Sequence, residues 1–165
     1  EDIAMLIEEL GAMRFMVEIG GEVKTKGVNQ RGRPWMIGVE APDMNARHVH
    51  KVLPVRDSAM ATSGDYRNFF EFEGETYSHT LNPQTGWPVT HNLASVTVLH
   101  DDAGFADAIA TAFSVLGPIQ TMRIAEQNNL RVFAILRSGP DEYEELYSQP
   151  MQQYLREHRI NGQRP

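Results

Sequence analysis

Asp107, Thr111 and Ser114 stand at i, i+4 and i+7, a spacing that stacks three short oxygen-bearing side chains along one face of a helix. Mg²⁺ takes oxygen ligands at about 2.0–2.1 Å and commonly uses one or two carboxylates together with substrate phosphates, which makes Asp107 with Thr111 a candidate half-site. The plainer alternative is an Asp that bonds the Thr hydroxyl one turn on. A second group is Tyr77-Ser78-His79-Thr80-Leu81-Asn82-Pro83-Gln84-Thr85-Gly86, in which a strand carrying His79 breaks into a Pro/Gly-rich turn. Strand ends of this kind present side chains and bare N–H groups to ligands. His79 is a candidate proton carrier near neutral pH, or a sheet-edge histidine bonded to a carbonyl. A third stretch, Ala61-Thr62-Ser63-Gly64-Asp65-Tyr66-Arg67-Asn68, sets Ser63, Gly64 and Asp65 at a strand end where backbone can approach a phosphate. An ordinary turn closed by the Asp would read the same way.

Other chemistries are weaker or excluded. Gly20-Gly21 lacks the additional glycines at fixed offsets that a Walker A loop or a dinucleotide fingerprint needs, and reads as a hairpin turn. His48 and His50 alternate on one face with no third ligand nearby, which suits a solvated pair better than a metal site. The absence of Cys removes disulfides, thiolate catalysis, iron–sulfur clusters and cysteine zinc sites while leaving the redox compartment open. A formal net charge of −7 opposes phosphate-backbone binding, so nucleic acid is not an expected partner. The 165 residues, 41% hydrophobic and 22% charged, suit one globular domain with a sizeable core.

The elements that must position these groups follow from periodicity. Asp2 to Leu10 reads as an amphipathic helix with Ile3, Leu6, Ile7 and Leu10 on one stripe and Gly11 ending it. Strands are expected at Arg14 to Ile19, Glu22 to Lys26, Trp35 to Glu40, His50 to Val55 and Ser58 to Thr62. Asn68 to Glu73 pairs through Gly74 with Thr76 to Leu81, and Ala94 to His100 and Val132 to Leu136 complete a meandering sheet. Asp43 to Arg47 is a polar turn. Gly104 to Leu116 is a helix capped by Asp101 or Asp102, its core stripe drawn by Phe105, Ala108, Ile109, Ala112, Phe113 and Leu116. The Gly117-Pro118 breaker separates it from a helix at Ile119 to Asn128. Glu142 to Tyr147 is a short helix candidate whose Glu142, Glu144 and Glu145 form a solvated face. Trp35, Phe69, Phe70, Phe72 and Trp87 are core or edge aromatics.

Four blocks in this order, Val17-Glu18-Ile19-Gly20-Gly21-Glu22, Ala61-Thr62-Ser63-Gly64-Asp65-Tyr66, His79-Thr80-Leu81-Asn82-Pro83-Gln84-Thr85-Gly86-Trp87-Pro88-Val89 and Ala106-Asp107-Ala108-Ile109-Ala110-Thr111-Ala112, resemble the FAD:protein FMN transferases of the ApbE family. The match covers Asp2 to about Leu136. The resemblance implies an α+β fold, a mixed and largely antiparallel sheet with helices packed on it, related to the T-fold. It implies attachment of FMN from FAD to a Thr or Ser of a target flavoprotein, with Mg²⁺ and release of AMP. Asp107 and Thr111 would then bind the metal, and His79, Thr80, Leu81, Ser63, Gly64 and Asp65 the flavin nucleotide. His79 would also help deprotonate the acceptor hydroxyl.

Members of the family are about twice this length, so residues 1–160 are expected to be the C-terminal portion of one such domain and 161–165 a disordered tail. The missing N-terminal half would carry most flavin and adenine contacts, a backbone carbonyl ligand to the metal, an export signal and often a lipoprotein Cys. The family thus implies a periplasmic protein anchored to the inner membrane, with acceptors among respiratory or redox flavoprotein subunits. Two other function classes stay open: an FAD-binding module or flavin reservoir without transfer, and a scaffold with a vestigial site.

Overall fold

The structure, a computed structural model, describes residues 1–43, 46–65, 69–72, 75–139 and 142–158, with backbone alone at 69–72 and 75–77. The expected tail at 161–165, the Gly74 turn, Tyr66 to Asn68 and the centre of the Asp43 to Arg47 turn lie outside the described residues, as do the side chains of Phe69, Phe70 and Phe72.

Among the described residues ten strands and four helices follow in the order α1 (Asp2–Glu9), β1 (Phe15–Ile19), β2 (Glu22–Lys26), β3 (Trp35–Glu40), β4 (Val49–Val55), β5 (Ala59–Gly64), β6 (Phe69–Phe72), β7 (Glu75–Ser78), β8 (Leu93–His100), α2 (Ala103–Leu116), α3 (Pro118–Gln127), β9 (Arg131–Gly139), β10 (Glu142–Tyr147) and α4 (Gln149–Glu157). Six of the strands form one antiparallel sheet in the order β1-β2-β5-β8-β9-β10, while β3-β4 and β6-β7 are separate hairpins. Gly20 and Gly21, with φ of +68 and +109, make the two-residue turn that brings Ile19 opposite Glu22; positive φ at both positions is what glycine permits.

The sheet is covered on both faces, and β8 is buried along nearly its whole length in consequence. On one face Ala61, Val96, Val98, Val132 and Ala134 pack under α2 and α3 through Ala106, Ala110, Phe113 and Ala125. On the other, Val23, Met60, Leu99, Phe133 and Ile135 meet Val39, Leu53 and Val55 of the β3-β4 hairpin and Met151 and Tyr154 of α4. The period-2 alternation of strand side chains sorts these residues between the two layers.

Three expectations are corrected. Glu142 to Tyr147 is strand β10, paired with β9, because Tyr143, Glu145 and Tyr147 alternate with more exposed neighbours at period 2 rather than 3.6. The helix of this region is α4, one step later, capped by Ser148, whose Oγ accepts from Met151 N, with Pro150 in its first turn; Ser followed by an early Pro is a helix-start signal that the sequence carried. On α2 the buried line is Ala103, Ala106, Ala110 and Phe113, while Phe105 and Leu116 are 40% and 38% exposed. A helix lying close on β5 and β8 needs small side chains over most of the contact, so alanine takes three of its four buried positions and Phe113 the last, while Phe105 and Leu116 face outward. On α1 only Ala4 is buried, and Ile3, Leu6 and Leu10 stay 48%, 55% and 80% exposed. Trp87 is likewise exposed, whereas Trp35 is part-buried and donates from Nε1 to the Lys26 carbonyl at 3.3 Å.

Candidate functional site

Helix α2 begins where Asp102 Oδ1 accepts from Phe105 N at 2.6 Å, which settles the cap on Asp102 and fixes the phase of the helix. That phase turns Asp107 and Thr111 outward from the sheet; both are exposed, and Ser114 is part-exposed. The Asp–Thr hydrogen bond of the plainer alternative does not form. Thr111 Oγ1 lies instead 3.2 Å from Ser63 Oγ, across 48 positions of sequence, while Ser114 Oγ donates to the Thr111 carbonyl at 2.7 Å. The Asp107 carboxylate makes no hydrogen bond or ion pair among the described residues. It faces a cleft of about 340 Å³ with Glu1, Asp2, Ile19, Lys24 and Gly104 on its walls.

Ser63, Gly64 and Asp65 end β5, and they line a second, shallow depression together with Thr80, Ser95 and Ser114. Ser95 Oγ is buried there with no hydrogen-bond partner. Asp65 is fixed at this edge. Both carboxylate oxygens receive the Arg137 guanidinium, at 2.7 and 2.8 Å, and its N–H reaches the Ala94 carbonyl at 3.2 Å. A two-point Arg–carboxylate fork is the geometrically strictest ion pair available to side chains, so it fixes the end of β5 at Asp65 against β9. Arg137 was not singled out in the sequence; an Arg closing the otherwise apolar run Val132 to Leu136 is the one mark it leaves.

His79 follows β7 by one residue and is exposed; the expected strand therefore stops at Ser78 rather than continuing to Leu81. Ser78 Oγ accepts from Thr80 N at 3.1 Å, and the chain then pairs back through the Leu81–Pro88 bridge. Thr80 lines the depression, and His79 and Leu81 flank it in sequence. The fold thus gathers Ser63, Gly64, Asp65 and Thr80 at one concavity, ties it to α2 through Ser63 and Thr111, and sets Asp107 one helical turn from Thr111, on the wall of the other cleft.

The donors offered along this line are a carboxylate and hydroxyls, with no nitrogen or sulfur. They fit a hard oxygen-loving cation whose remaining shell comes from phosphate and water. Among the described residues no cluster of three or more His, Asp or Glu could hold a metal by itself. His48 and His50 do not form one. His50 is half-buried with Nε2 at 3.0 Å from Glu145 Oε1, so it is not the solvated residue expected, and His48 lies 3.8 Å from Asp43.

The chain is similar to known proteins over most of its length. The profile of the ApbE family matches residues 1–136. A FAD:protein FMN transferase of Haemophilus influenzae is 42% identical over 139 residues, 84% of this chain and 40% of the relative. The one of Escherichia coli strain K12 is 35% identical over 155 residues, 94% of this chain and 44% of the relative. Among solved structures, the flavin transferase ApbE from Vibrio cholerae superposes with a TM-score of 0.79 at 38% identity, covering 92% of this chain and 48% of that one. The apo flavinyl transferase ApbE of Pseudomonas stutzeri gives 0.77 at 37%, covering 92% and 46%. The chain spans less than half the length of the relatives it matches.

Proposed function

The chain belongs to the ApbE family, and from that membership we propose that it forms the metal-binding and acceptor-activating part of a Mg²⁺-dependent FAD:protein FMN transferase. The observation that carries this reading is the Asp107 carboxylate, unpartnered among the described residues and one helical turn from Thr111, whose hydroxyl meets that of Ser63 at 3.2 Å. Asp107 and Thr111 are the residues that would hold Mg²⁺, which when bound supplies charge neutralisation on the FAD pyrophosphate. Ser63, Gly64 and Thr80 would border the nucleotide phosphates, with His79 and Leu81 beside them. Asp65, occupied by Arg137, holds that border in place.

The reaction joins an acceptor Ser or Thr oxygen to the FMN phosphorus and breaks the bond from that phosphorus to the bridging oxygen of the pyrophosphate, which stays with AMP. AMP leaves with the electron pair, and the acceptor proton passes to His79 Nδ1 or Nε2. The acceptor is a flavoprotein subunit of a redox complex, and the site of action the periplasmic face of the inner membrane; both rest on family membership.

The test is Asp107→Asn in the full-length protein, assayed for Mg²⁺-dependent attachment of FMN to an acceptor. Volume is kept and charge removed, at an exposed position that supports no packing. Transfer should fall a hundred-fold or more, with the melting temperature within about 1 °C of the parent. Transfer at the parental rate contradicts the metal assignment.

A further inference from the structure

The turn after His79 is built to stand without help from the rest of the fold. Asn82 organises it. Its Oδ1 accepts from Gln84 N at 2.9 Å, its carbonyl from Thr85 N and Gly86 N at 3.2 and 2.8 Å, and its own N–H donates to the Trp87 carbonyl at 2.9 Å. Trp87 N donates to Thr85 Oγ1 at 3.2 Å, and Val89 N to the Thr80 carbonyl at 3.0 Å. Pro83 and Pro88 have no N–H to place, and Gly86 takes the one positive φ, +74. Every backbone donor from Asn82 to Val89 is thus satisfied locally, which makes a stiff hairpin tip.

Its side chains, by contrast, serve no core. Trp87 is 72% exposed and Leu81 55%. Leaving an indole in water on a rigid support forgoes one of the largest burial gains a side chain offers, and exposed Trp on ordered backbone is characteristic of binding anchors. Rigidity adds to this, since no loop order is lost when a partner arrives.

Position identifies the partner. Trp87 pairs with Asn82 through the Asn82 N–H, three residues beyond His79, so the backbone at the tip lies at most roughly 10 Å from that of the proposed base, at about 3.3 Å per fully extended residue. A polypeptide whose hydroxyl reaches His79 has this tip within reach, since roughly 10 Å is the span of three extended residues on either side of that hydroxyl. The nucleotide would occupy the polar Ser/Gly border instead. Building on the transferase reading above, we propose that Trp87 is a docking anchor for the acceptor protein, taking an apolar side chain about three residues from the Ser or Thr that receives FMN.

The experiment uses the full-length protein and a purified respiratory flavoprotein subunit as acceptor, with initial rates of FMN attachment measured at saturating FAD for the parent, Trp87→Ala and Trp87→Tyr. FAD affinity is read separately by fluorescence quenching, and stability by melting temperature. Trp87→Ala should raise the KM for the acceptor ten-fold or more with FAD affinity and melting temperature unchanged, and Trp87→Tyr should recover most of it. An unchanged acceptor KM overturns the proposal. So does an equal loss of FAD affinity, which would put Trp87 at the nucleotide, or a lowered melting temperature, which would make it a packing residue. A parent that binds FAD yet labels no subunit contradicts the transferase reading itself, and the docking role falls with it.

Discussion

Ser63 and Thr111 are 48 positions apart in the chain and 3.2 Å apart in space, and the candidate site depends on such encounters. The pattern of candidate residues was legible beforehand. An Asp and a Thr one helical turn apart, and a His entering a Pro/Gly turn, are patterns that local spacing and family resemblance expose. What local spacing does not expose is which hydroxyl Thr111 meets, which the packing of α2 on β5 sets, or that Asp65 is bound on both oxygens by Arg137, which the sheet register between β5, β8 and β9 sets. For His79 the consequence is kinetic. His79→Gln should lower the FMN transfer rate about 10²–10⁴-fold, the usual worth of general acid–base assistance, while FAD affinity holds. A proportionate loss of FAD affinity would make His79 a nucleotide contact instead.

Elements were legible where a local pattern decides them and obscure where packing does. The Gly20-Gly21 hairpin, the Asp102 cap and the Gly117-Pro118 break are written in single residues. The buried line of α2 is not, because small alanines win the face against β5 and β8 while Phe105 turns out to solvent. Strand β10 was obscured by its acidic residues, and one of them joins two elements: Glu145 bonds Lys51 at 2.9 Å and His50 at 3.0 Å on β4, and accepts from Tyr147 at 2.5 Å. Burial alone would push the Glu145 carboxyl up, but hydrogen bonds from Tyr147 and Lys51 outweigh it and hold the group below its ordinary 4.5. Burial and the same carboxylate push the Tyr147 hydroxyl up to about 12. A carboxyl lowered in the folded state lends stability that is complete above its unfolded value and is lost as pH falls through the folded one. Glu145→Gln should therefore cost about 1–2 kcal/mol at neutral pH, discounted for partial exposure. It should also flatten the loss of melting temperature below about pH 4.5 relative to the parent. Parallel melting curves across that range would show that the cluster does not couple the hairpin to the sheet.

At the scale of the whole molecule, a largely antiparallel α+β fold with helices on the sheet was expected and is found, but the single meandering sheet expected from the strand order is not, because β3-β4 and β6-β7 stand as separate hairpins. Which outer surfaces stay apolar was not legible either, because a helical stripe read from sequence carries no information about whether its partner is in the same stretch of chain. Ile3, Leu6 and Leu10 on α1, and Met16 and Ile19 on edge strand β1, remain exposed. The donors for a cation are one carboxylate and its neighbouring hydroxyls, short of the near-octahedral shell Mg²⁺ requires. Residues 1–165 alone are accordingly expected to bind FAD and Mg²⁺ at least ten-fold more weakly than the same sequence extended to the length of its relatives, as read by calorimetric titration; equal affinities would mean that this stretch holds the complete site. The central claim is group transfer, and it is tested most directly by incubating the full-length protein with FAD, Mg²⁺ and an acceptor flavoprotein subunit, then measuring AMP released and flavin fluorescence retained on a denaturing gel. The account predicts AMP and protein-bound flavin appearing mole for mole, both abolished by Asp107→Asn. FAD that binds and is recovered intact, with no AMP and no fluorescent acceptor, would contradict it.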